Sequence, residues 1–505
     1  MVDIILAKVE THRPEDVERK RLAPPFALLC LADALEKAGF SVLLHHSQAA
    51  PDGIRSLIEN IRTHKPIFVG MSVITPHILS SRDASQAIKA ACDVPLIWGG
   101  VHSTIVPEQT AQLPFVDAVC IGEGEQTIVE LARSIRQYGL DRSRLAAIPG
   151  LIFKDGERLV TTPTRAFLKD LNMVDEAWHL LNREEYFYPG SYFHSGKGGD
   201  RVAVLNTSRG CPYRCGYCYN QAVHHGCVRC RSAEKVLAEI EMLRSKYGVT
   251  GILFAEDNFF GDPPRALAIA RGLKVPWSCS ITIADILRAG EQLVDELARS
   301  GCVELRIGIE AGSPDILRKM RKPHNVEQAL RIARKIADAG MMGVYMFMTG
   351  IPGETWKDTL ATLDMIDALR AISDNIRITG PTFFAPYPAT ELFDAAVEQG
   401  FHPPEDPDGW SRNIPGNQGV LPPYADPRMP KLTFYRILTS KASLPRTLSS
   451  IPVRMLRWVA RLRWKHRAFG FTPEHSLALW GISFARKLGM KRVVHPMYRR
   501  FFMDI

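Results

Sequence analysis

The sequence lacks both a long apolar run and a secretion signal at its start. No stretch of about eighteen consecutive apolar residues occurs in its 505 residues, so we expect no membrane-spanning helix. Met1 is not followed by a charged segment and an apolar core of the kind that directs secretion, so we expect a cytoplasmic location. The ten cysteines, three of them clustered, predict reduced thiols rather than a disulfide framework.

Acidic residues are scarce in the last part of the chain. Residues 451–505 hold twelve Lys or Arg but only two acids, Glu474 and Asp504, while the whole chain has a net charge of +9. Residues 453–467 can form an amphipathic helix. Its basic face would carry Arg454, Arg457, Arg461 and Lys465, and its apolar face Met455, Leu456, Val459 and Leu462. Trp458 and Trp464 would lie near the boundary between the two faces. Such a helix suits an anionic membrane surface, and a helix packed on the protein with a solvated basic face is an equal alternative. We expect no nucleic acid partner, because no recognised binding module accompanies the charge.

Three cysteines, Cys211, Cys215 and Cys218, form the motif around which the chain is organised. Three thiolates at this spacing can ligate three irons of a cubane 4Fe–4S cluster and leave the fourth iron open for chemistry. A zinc knuckle is the alternative, but a structural zinc site needs a fourth protein ligand. Cys227 and Cys230, preceded by His224 and His225, are less favoured as a second metal site because the spacing is too short for a comfortable tetrahedron.

The first part of the chain alternates short apolar runs with helical patterns. Strands are predicted at residues 2–9, 41–45, 66–72, 95–98 and 118–121, each followed by a helix. This alternation predicts a doubly wound, Rossmann-like α/β domain whose ligand lies beyond the carboxyl ends of its strands. The residues expected at those ends are Ser72, Thr75, Gly99, Gly100, His102, Gly122, Glu123 and Gly124. From the residues alone, glycines that serve only tight turns are an equally good explanation.

The alternation resumes after a connector. A hairpin with an Asp155-Gly156 turn is predicted within residues 149–163, and a polar and aromatic linker follows it. Six strands, at residues 201–206, 250–254, 276–281, 303–309, 342–348 and 375–380, predict a partial (β/α)6 TIM-type barrel with its chemistry at the carboxyl ends. Polar residues and a glycine turn at those ends are Glu256, Asp257, Ser280, Glu310 and Gly350.

These patterns divide the chain into four parts. We expect a Rossmann-like domain at residues 1–145, a hairpin and linker at 146–200, the partial barrel at 201–395 and a mainly helical C-terminal region at 396–505. Residues 400–430 are rich in Pro, Gly and Asp and are expected to form a lid over the barrel mouth.

The cysteine motif, with Tyr217 before its last Cys, resembles the signature of the radical S-adenosylmethionine (SAM) superfamily. Together with Pro24-Pro25, Gly99-Gly100-x-His102 and the run from Gly122 to Glu125, it resembles the cobalamin-binding members of that superfamily over roughly residues 1–400. Many cobalamin-binding domains carry an Asp-x-His-x-x-Gly element whose His ligates cobalt, and this sequence has none. His102 lies after the wrong strand for that role, so we expect a cobalt lower face that is not held by His.

The resemblance implies three cofactors, a 4Fe–4S cluster, SAM and cobalamin. It implies that Glu256 and Asp257 approach the methionine amino group, that Glu310 contacts the ribose or the methionine end, and that the turn at Gly350 contacts adenine. Tyr217 and Ser280 complete this SAM site, while Ser72, Thr75, Gly99, Gly100, His102, Gly122, Glu123 and Gly124 would contact cobalamin.

The resemblance also implies an activity. Cleavage of SAM to a 5′-deoxyadenosyl radical would precede methylation of an unactivated carbon, with an electron donor such as flavodoxin or ferredoxin. An oxidative cyclase or ring-rearranging enzyme of the tetrapyrrole cyclase type is the close alternative, and a non-enzymatic cobalamin or cluster carrier is an alternative of another class. The basic, Trp-containing tail favours a hydrophobic or lipid-like small-molecule substrate and contact with the inner membrane face.

Overall fold

The structure, a computed structural model, describes residues 2–10, 22–50, 53–187, 193–412, 421–439 and 451–477. None of the helices within these ranges is both long and apolar enough to cross a bilayer.

A seven-stranded sheet forms the N-terminal domain, with strand order β2-β1-β3-β4-β5-β6-β7. The strands are β1 (Ile4–Lys8), β2 (Val42–His46), β3 (Phe68–Ser72), β4 (Leu96–Gly99), β5 (Ala118–Cys120), β6 (Leu151–Asp155) and β7 (Arg158–Thr161). The first five are parallel, and the hairpin β6–β7 extends the sheet in antiparallel fashion. The chain order reverses at β1 and β3, and a ligand of such a sheet binds beyond the strand ends near that point.

Helices cover both faces of this sheet. They are α1 (Phe26–Lys37), α2 (Ile54–His64), α3 (Ile78–Ala91), α4 (Val101–Ile105), α5 (Pro107–Ala111), α6 (Glu125–Tyr138) and α7 (Arg142–Leu145). Strand β1 shows why both faces are covered, since Ile4 and Leu6 enter one hydrophobic core while Ile5 and Ala7 enter the other. A strand that is apolar on both faces is typical of a parallel sheet between two helical layers.

The barrel is a six-stranded, fully parallel sheet with the order β8-β11-β12-β13-β14-β15. Its strands are β8 (Val202–Leu205), β11 (Gly251–Phe254), β12 (Trp277–Ser280), β13 (Cys302–Glu310), β14 (Met342–Thr349) and β15 (Ile376–Phe383). A two-stranded antiparallel ribbon, β9 (Ser208–Arg209) and β10 (Arg229–Cys230), follows the first barrel strand. The predicted α/β architecture is thus confirmed.

The remaining helices connect and surround these strands. A short α8 (Arg183–Tyr186) lies in the linker, and the barrel contains α9 (Asn220–His224), α10 (Ala233–Tyr247), α11 (Pro263–Gly272), α12 (Ile283–Ala289), α13 (Gln292–Arg299), α14 (Pro314–Lys319), α15 (Val326–Asp338) and α16 (Trp356–Arg370). The C-terminal region contains α17 (Glu391–Glu398), α18 (Pro407–Arg412), α19 (Lys431–Thr439) and α20 (Ile451–His466). The predicted boundaries between the four parts, at residues 145, 200 and 395, stay predictions.

Part of the region expected as a lid contacts the N-terminal domain. The side chain of Trp410 is buried in the core beneath the N-terminal sheet, and its indole nitrogen donates to Gln109 Oε1 at 2.6 Å. Arg82 of α3 contacts Asp408 at 2.5 Å. Residues 404–412 therefore contact the N-terminal domain, because the Gln109 amide donates to the Pro404 carbonyl and the large Trp410 indole is buried there. Residues 413–420 lie outside the described residues.

Candidate active site between the two domains

The three motif cysteines lie on one loop between β9 and α9. The backbone of this loop is anchored from outside, since the amide of Cys211 donates to Asn220 Oδ1 at 3.1 Å and that of Gly216 to the Met320 carbonyl at 3.0 Å. Gly210 has a φ of +90°, and a Cβ there would stand 2.0 Å from the Cys227 carbonyl oxygen. Only glycine fits this entry to the loop.

Burial makes all three thiols weak acids. It raises the pKa of Cys211 to about 11 and that of Cys218 to about 12, and it also raises the pKa of Cys215. Thiolate formation therefore depends on a positive partner, and iron is such a partner. A set of three thiols on one anchored loop fits a cubane cluster with one open iron.

The second cysteine pair lies apart from the three motif cysteines, in and just before strand β10 of the β9–β10 ribbon. Within the part of the chain that the structure describes, no group of three or more His, Cys, Asp or Glu side chains is arranged to hold one ion. Cys227 is exposed and Cys230 pairs through its backbone with Ser208 in the β9–β10 ribbon. A metal site at this second cysteine pair stays the less favoured prediction.

On one side of the cysteine loop, Tyr217 contacts the end of strand β13. Its hydroxyl donates to Glu310 Oε1 at 2.8 Å, and Lys322 Nζ lies 3.4 Å from the same oxygen. Burial, together with the Glu310 carboxylate, raises the pKa of Tyr217 well above its usual value. Glu310 has a φ of +71°, a conformation that few residues other than glycine adopt. The carboxylate is thus held beside the cysteine loop by two donors and an unusual backbone.

The turn at Gly350 is shaped by a buried carboxylate. Gly350 has a φ of +77°, and its amide donates to Glu354 Oε2 at 2.7 Å. The amide of Ile351 and the hydroxyl of Thr359 also donate to this carboxylate, at 3.1 and 2.8 Å. Ser280, at the end of β12, is half-buried. The turn is held rigid at the strand end where a SAM contact is predicted.

The neighbouring acids Glu256 and Asp257 have different surroundings. The Glu256 carboxylate is buried and accepts from the Thr207 amide at 2.8 Å and from the hydroxyls of Thr207 and Ser208. Asp257 instead lines a cavity and accepts from the Gly210 amide at 3.3 Å. Glu256 is thus held against the chain before the cysteine loop, while Asp257 lines the cavity, and the predicted SAM contacts of both acids stay predictions.

A cavity lies between the N-terminal sheet and the barrel. It encloses about 1510 Å³ of free space, including the part that opens to solvent. One side is formed by strand ends of the N-terminal domain, at Ser72, Gly99, Gly100, Gly122, Glu123 and Gly124. The other side is formed by barrel residues next to the cysteine loop, including Asn206, Arg209, Tyr219, His224 and Asp257.

Two observations suit this cavity to a ligand that approaches the backbone closely and carries hydrogen-bond donors. A Cβ on Gly122 would meet no atom within 4 Å, so the backbone is open to close approach there. Among the described residues, Asn206 Oδ1 and Glu125 Oε2 are buried acceptors without a hydrogen-bond donor. Both residues line the cavity, and a bound group with amide donors would satisfy them.

Two of the predicted cofactor residues do not line this cavity. Thr75 and His102 are buried, and the Thr75 hydroxyl lies 3.1 Å from His102 Nδ1. The imidazole packs edge-on against Trp410, at 6.0 Å between ring centroids. Burial lowers the pKa of His102 to about 4. Thr75 and His102 thus belong to the contact between the N-terminal domain and α18, a contact that local sequence patterns do not reveal.

Glu123 and Arg209 join the two sides of the cavity. Arg209, two residues before Cys211, contacts Glu123 at 2.9 Å and also pairs with Glu125. Arg229 donates to both Glu123 oxygens, at 2.8 and 2.9 Å. Although burial opposes ionisation, Arg209 and Arg229 keep the pKa of Glu123 below its usual value. We call these four residues the interdomain ion network.

Two family models match this architecture. Residues 205–366 match the radical SAM superfamily, and residues 17–132 match the B12 binding domain. The chain thus combines a radical SAM domain with a B12 binding domain. The two domains imply a 4Fe–4S cluster, SAM and cobalamin as its cofactors.

Individual proteins support the same assignment. The anaerobic magnesium-protoporphyrin IX monomethyl ester cyclase of Cereibacter sphaeroides is 28% identical over 74% of this chain and 61% of its own length, so this chain spans less than two thirds of the cyclase. An uncharacterised methyltransferase of Pyrococcus horikoshii is 26% identical over 74% of this chain and 78% of its own length. The fold resembles that of the cobalamin-dependent SAM radical enzyme OxsB with aqua-cobalamin bound, with a TM-score of 0.69 at 15% identity over 100% of this chain and 80% of OxsB.

Several residues of the site escaped the sequence analysis. Arg209, Arg229 and Lys322 are cations whose acidic partners lie on other elements. Asn206 directly follows the first barrel strand, and only its position there distinguishes it in the sequence. For Arg209, the only feature of the sequence that points to the site is its position two residues before Cys211.

Proposed function

We propose that this chain is a cobalamin-dependent radical SAM enzyme that methylates an unactivated carbon of a hydrophobic small molecule. The observation that carries the proposal is the two-sided cavity, with glycine-rich strand ends on one wall and neighbours of the cysteine loop on the other. A substrate carbon between two cofactors needs both to be held at a fixed separation. The interdomain ion network supports this reading because it ties the two walls together.

Each cofactor has proposed contacts in this chain. Cys211, Cys215 and Cys218 would hold the cluster. Tyr217, Asp257, Ser280, Glu310 and Gly350 would surround SAM, while Ser72, Gly99, Gly100, Gly122 and Gly124 would meet cobalamin. When bound, these cofactors supply cleavage of SAM to a 5′-deoxyadenosyl radical and donation of a methyl group.

The protein's own contribution is orientation and exclusion of water. Lys322 and the Tyr217 hydroxyl fix the Glu310 carboxylate, which can then accept from a ribose hydroxyl or the methionine ammonium. Asp257, held by the Gly210 amide, offers a second carboxylate. Arg209 and its two glutamates close the edge of the cavity near the cysteine loop, which limits the access of water to reactive species.

We further propose that no histidine of the N-terminal domain ligates cobalt. Among the described residues of the N-terminal domain, no histidine lines the cavity, and His102 contacts Thr75 and Trp410 instead. His224, which does line the cavity, comes from the barrel side. Cobalamin bound here would therefore have no imidazole of the N-terminal domain beneath its cobalt.

An oxidative cyclase is the second candidate function. It is favoured by the 28% identity to the anaerobic magnesium-protoporphyrin IX monomethyl ester cyclase. It would use the same two domains without methyl transfer. A carrier of cobalamin or of the cluster, the candidate of another class, predicts no SAM cleavage, and the acids beside the cysteine loop argue against it.

The partners and the location belong to the same proposal. A flavodoxin or ferredoxin would reduce the cluster, and the enzyme would work in the cytoplasm with peripheral contact to the inner membrane face. The basic C-terminal helix supports this membrane contact. A location at the membrane suits a lipid-like or tetrapyrrole substrate.

Anaerobic incubation of the reconstituted protein with SAM, reductant and methylcobalamin tests the function. 5′-Deoxyadenosine and S-adenosylhomocysteine are followed together by mass spectrometry. Methyl transfer predicts both products, with S-adenosylhomocysteine dependent on cobalamin. Deoxyadenosine alone would favour the cyclase, and neither product from a cluster-loaded protein would favour the carrier.

A further inference from the structure

The outer side of α20 carries a row of apolar side chains beside a row of basic ones. Met455, Trp458 and Leu462 are 63%, 62% and 39% exposed, and their spacing of three and four residues aligns them on the helix. Arg454, Arg461 and Lys465 are exposed along the adjoining strip. A helix side that faces only water normally carries polar residues.

The opposite side of α20 is fixed on the barrel. Ala460 and Trp464 are buried, and the Trp464 indole nitrogen donates to Asp367 Oδ1 at 2.8 Å. Arg467 Nη2 donates to Asp364 Oδ1 at 2.7 Å. The helix therefore cannot turn its apolar row inward without breaking these contacts.

Exposed apolar side chains are concentrated in this part of the molecule. Eight large hydrophobic residues of the described chain are exposed, and five of them lie between residues 455 and 477. Beyond α20, Phe471 is 83% exposed and Leu477 is 66% exposed. Such a concentration marks an interaction surface rather than the scattered apolar exposure of an ordinary protein surface.

We infer that α20, with Phe471 and Leu477, is a docking surface for an anionic lipid bilayer. This inference deepens the membrane contact of the proposed function and rests on it, but it needs none of the radical chemistry. The apolar row would enter the boundary between headgroups and acyl chains, and Trp458 suits that boundary because its ring is both apolar and a hydrogen-bond donor.

The charges favour a bilayer over other occupants. Glu474 is the one acid in residues 451–477, and Arg463 and the Tyr435 hydroxyl already donate to it, at 2.9 and 2.7 Å. A second copy of the chain would therefore bring basic residues against basic residues. Nucleic acid would leave the apolar row without a partner.

A shallow depression on this surface fits a phosphate headgroup. It is lined by Arg454, Arg457, Arg461, Met455 and Trp458. Guanidinium groups bind phosphate through paired hydrogen bonds, and the Met and Trp side chains would contact the adjoining acyl chains.

Vesicle flotation of the full-length protein, without added cofactors, tests the inference. We expect it to float with vesicles of phosphatidylcholine and phosphatidylglycerol in equal parts, but not with phosphatidylcholine alone. Replacing Arg454, Arg461 and Lys465 by Gln should weaken binding about 100-fold, since each of the three basic residues near an anionic surface contributes about fivefold. Replacing Met455, Trp458 and Leu462 by Gln should abolish flotation, while Arg318→Gln, at another exposed arginine, should not change it.

Three results would overturn the inference. The first is equal binding to both vesicle types, and the second is no binding by a protein whose circular dichroism is native. The third is a wild-type dimer that dissociates when Met455, Trp458 and Leu462 are replaced by Gln. In the wild type we expect the tryptophan emission to shift on addition of anionic vesicles, and this shift should be lost in Trp458→Phe. A failure of these assays leaves the product assay for methyl transfer unaffected, so the two proposals fail separately.

Discussion

The guanidinium of Arg209 lies between Glu123 and Glu125, contacting Glu123 Oε1 at 2.9 Å and also pairing with Glu125. The two glutamates follow strand β5 of the N-terminal sheet, and Arg209 stands two residues before the first cysteine of the motif. One side chain therefore connects the loop of the B12 binding domain to the cysteine loop of the barrel. We expect this contact to help fix the separation of the two cofactors.

Arg209→Gln should lower the free energy of unfolding by about 3 kcal/mol. Removing one partner from a largely buried ion pair leaves the other charges desolvated and unpaired. Chemical denaturation followed by circular dichroism measures the change, with Arg318→Gln as the control because that ion pair is exposed. A change within about 0.5 kcal/mol for Arg209→Gln would show that the network does not hold the domains together.

Cys211→Ala should remove the cluster. Loss of one of three thiolate ligands leaves too few for stable attachment of the cubane. Iron content and visible absorbance after anaerobic reconstitution measure this, and Cys227→Ala provides the matched control. Equal loss of iron in Cys227→Ala would contradict the assignment of the three ligands.

Tyr217→Phe should weaken SAM binding by about tenfold, because it removes the 2.8 Å hydrogen bond that orients Glu310. Glu310→Gln should weaken it further, since a neutral amide replaces the carboxylate. Calorimetric titration of the cluster-loaded protein with SAM measures both variants. An unchanged SAM dissociation constant for Glu310→Gln would remove Glu310 from the proposed SAM site.

The protein should lose stability as the pH falls below the ordinary pKa of histidine. Burial lowers the pKa of His102 from 6.5 to about 4, so between these values the unfolded chain binds a proton that the folded chain does not. The free energy of unfolding therefore decreases as the pH falls through this window.

His102→Gln should make the stability less dependent on pH, by about 2 kcal/mol between about pH 7 and about pH 5. Denaturant titrations at the two pH values measure the difference, with His402→Gln as the control at an exposed site. The same pH dependence in the wild type and His102→Gln would show that His102 does not contribute to it.

The architecture could be predicted from the sequence because each buried parallel strand is a short apolar run, which is visible locally. The strand ends at Gly99, Gly100 and Gly122 were predicted for the same reason, since the carboxyl ends of parallel strands meet at one edge. Contacts between distant segments are not local. Neither the pairing of Arg209 with Glu123 nor the packing of His102 on Trp410 leaves a periodic signal in the sequence.

The adjacent acids Glu256 and Asp257 show that the sequence does not predict which of two neighbouring side chains faces a site. Successive side chains along an extended segment point to opposite sides, so one acid can face the protein interior while the next faces the cavity. Which of them does so depends on Thr207 and Ser208, which hold the Glu256 carboxylate. The pattern of residue types alone did not distinguish the two.

The measurement that tests the account most directly is an anaerobic titration of the cluster-loaded protein with hydroxocobalamin, followed by visible absorbance. It compares the wild type with Ser72→Phe, which places a ring in the cavity, and with Glu59→Phe on the exposed side of α2. We expect saturable binding by the wild type and Glu59→Phe, and loss of binding by Ser72→Phe with retained formation of 5′-deoxyadenosine. Equal binding by all three proteins, or no binding by the wild type, would contradict a cobalamin site in this cavity.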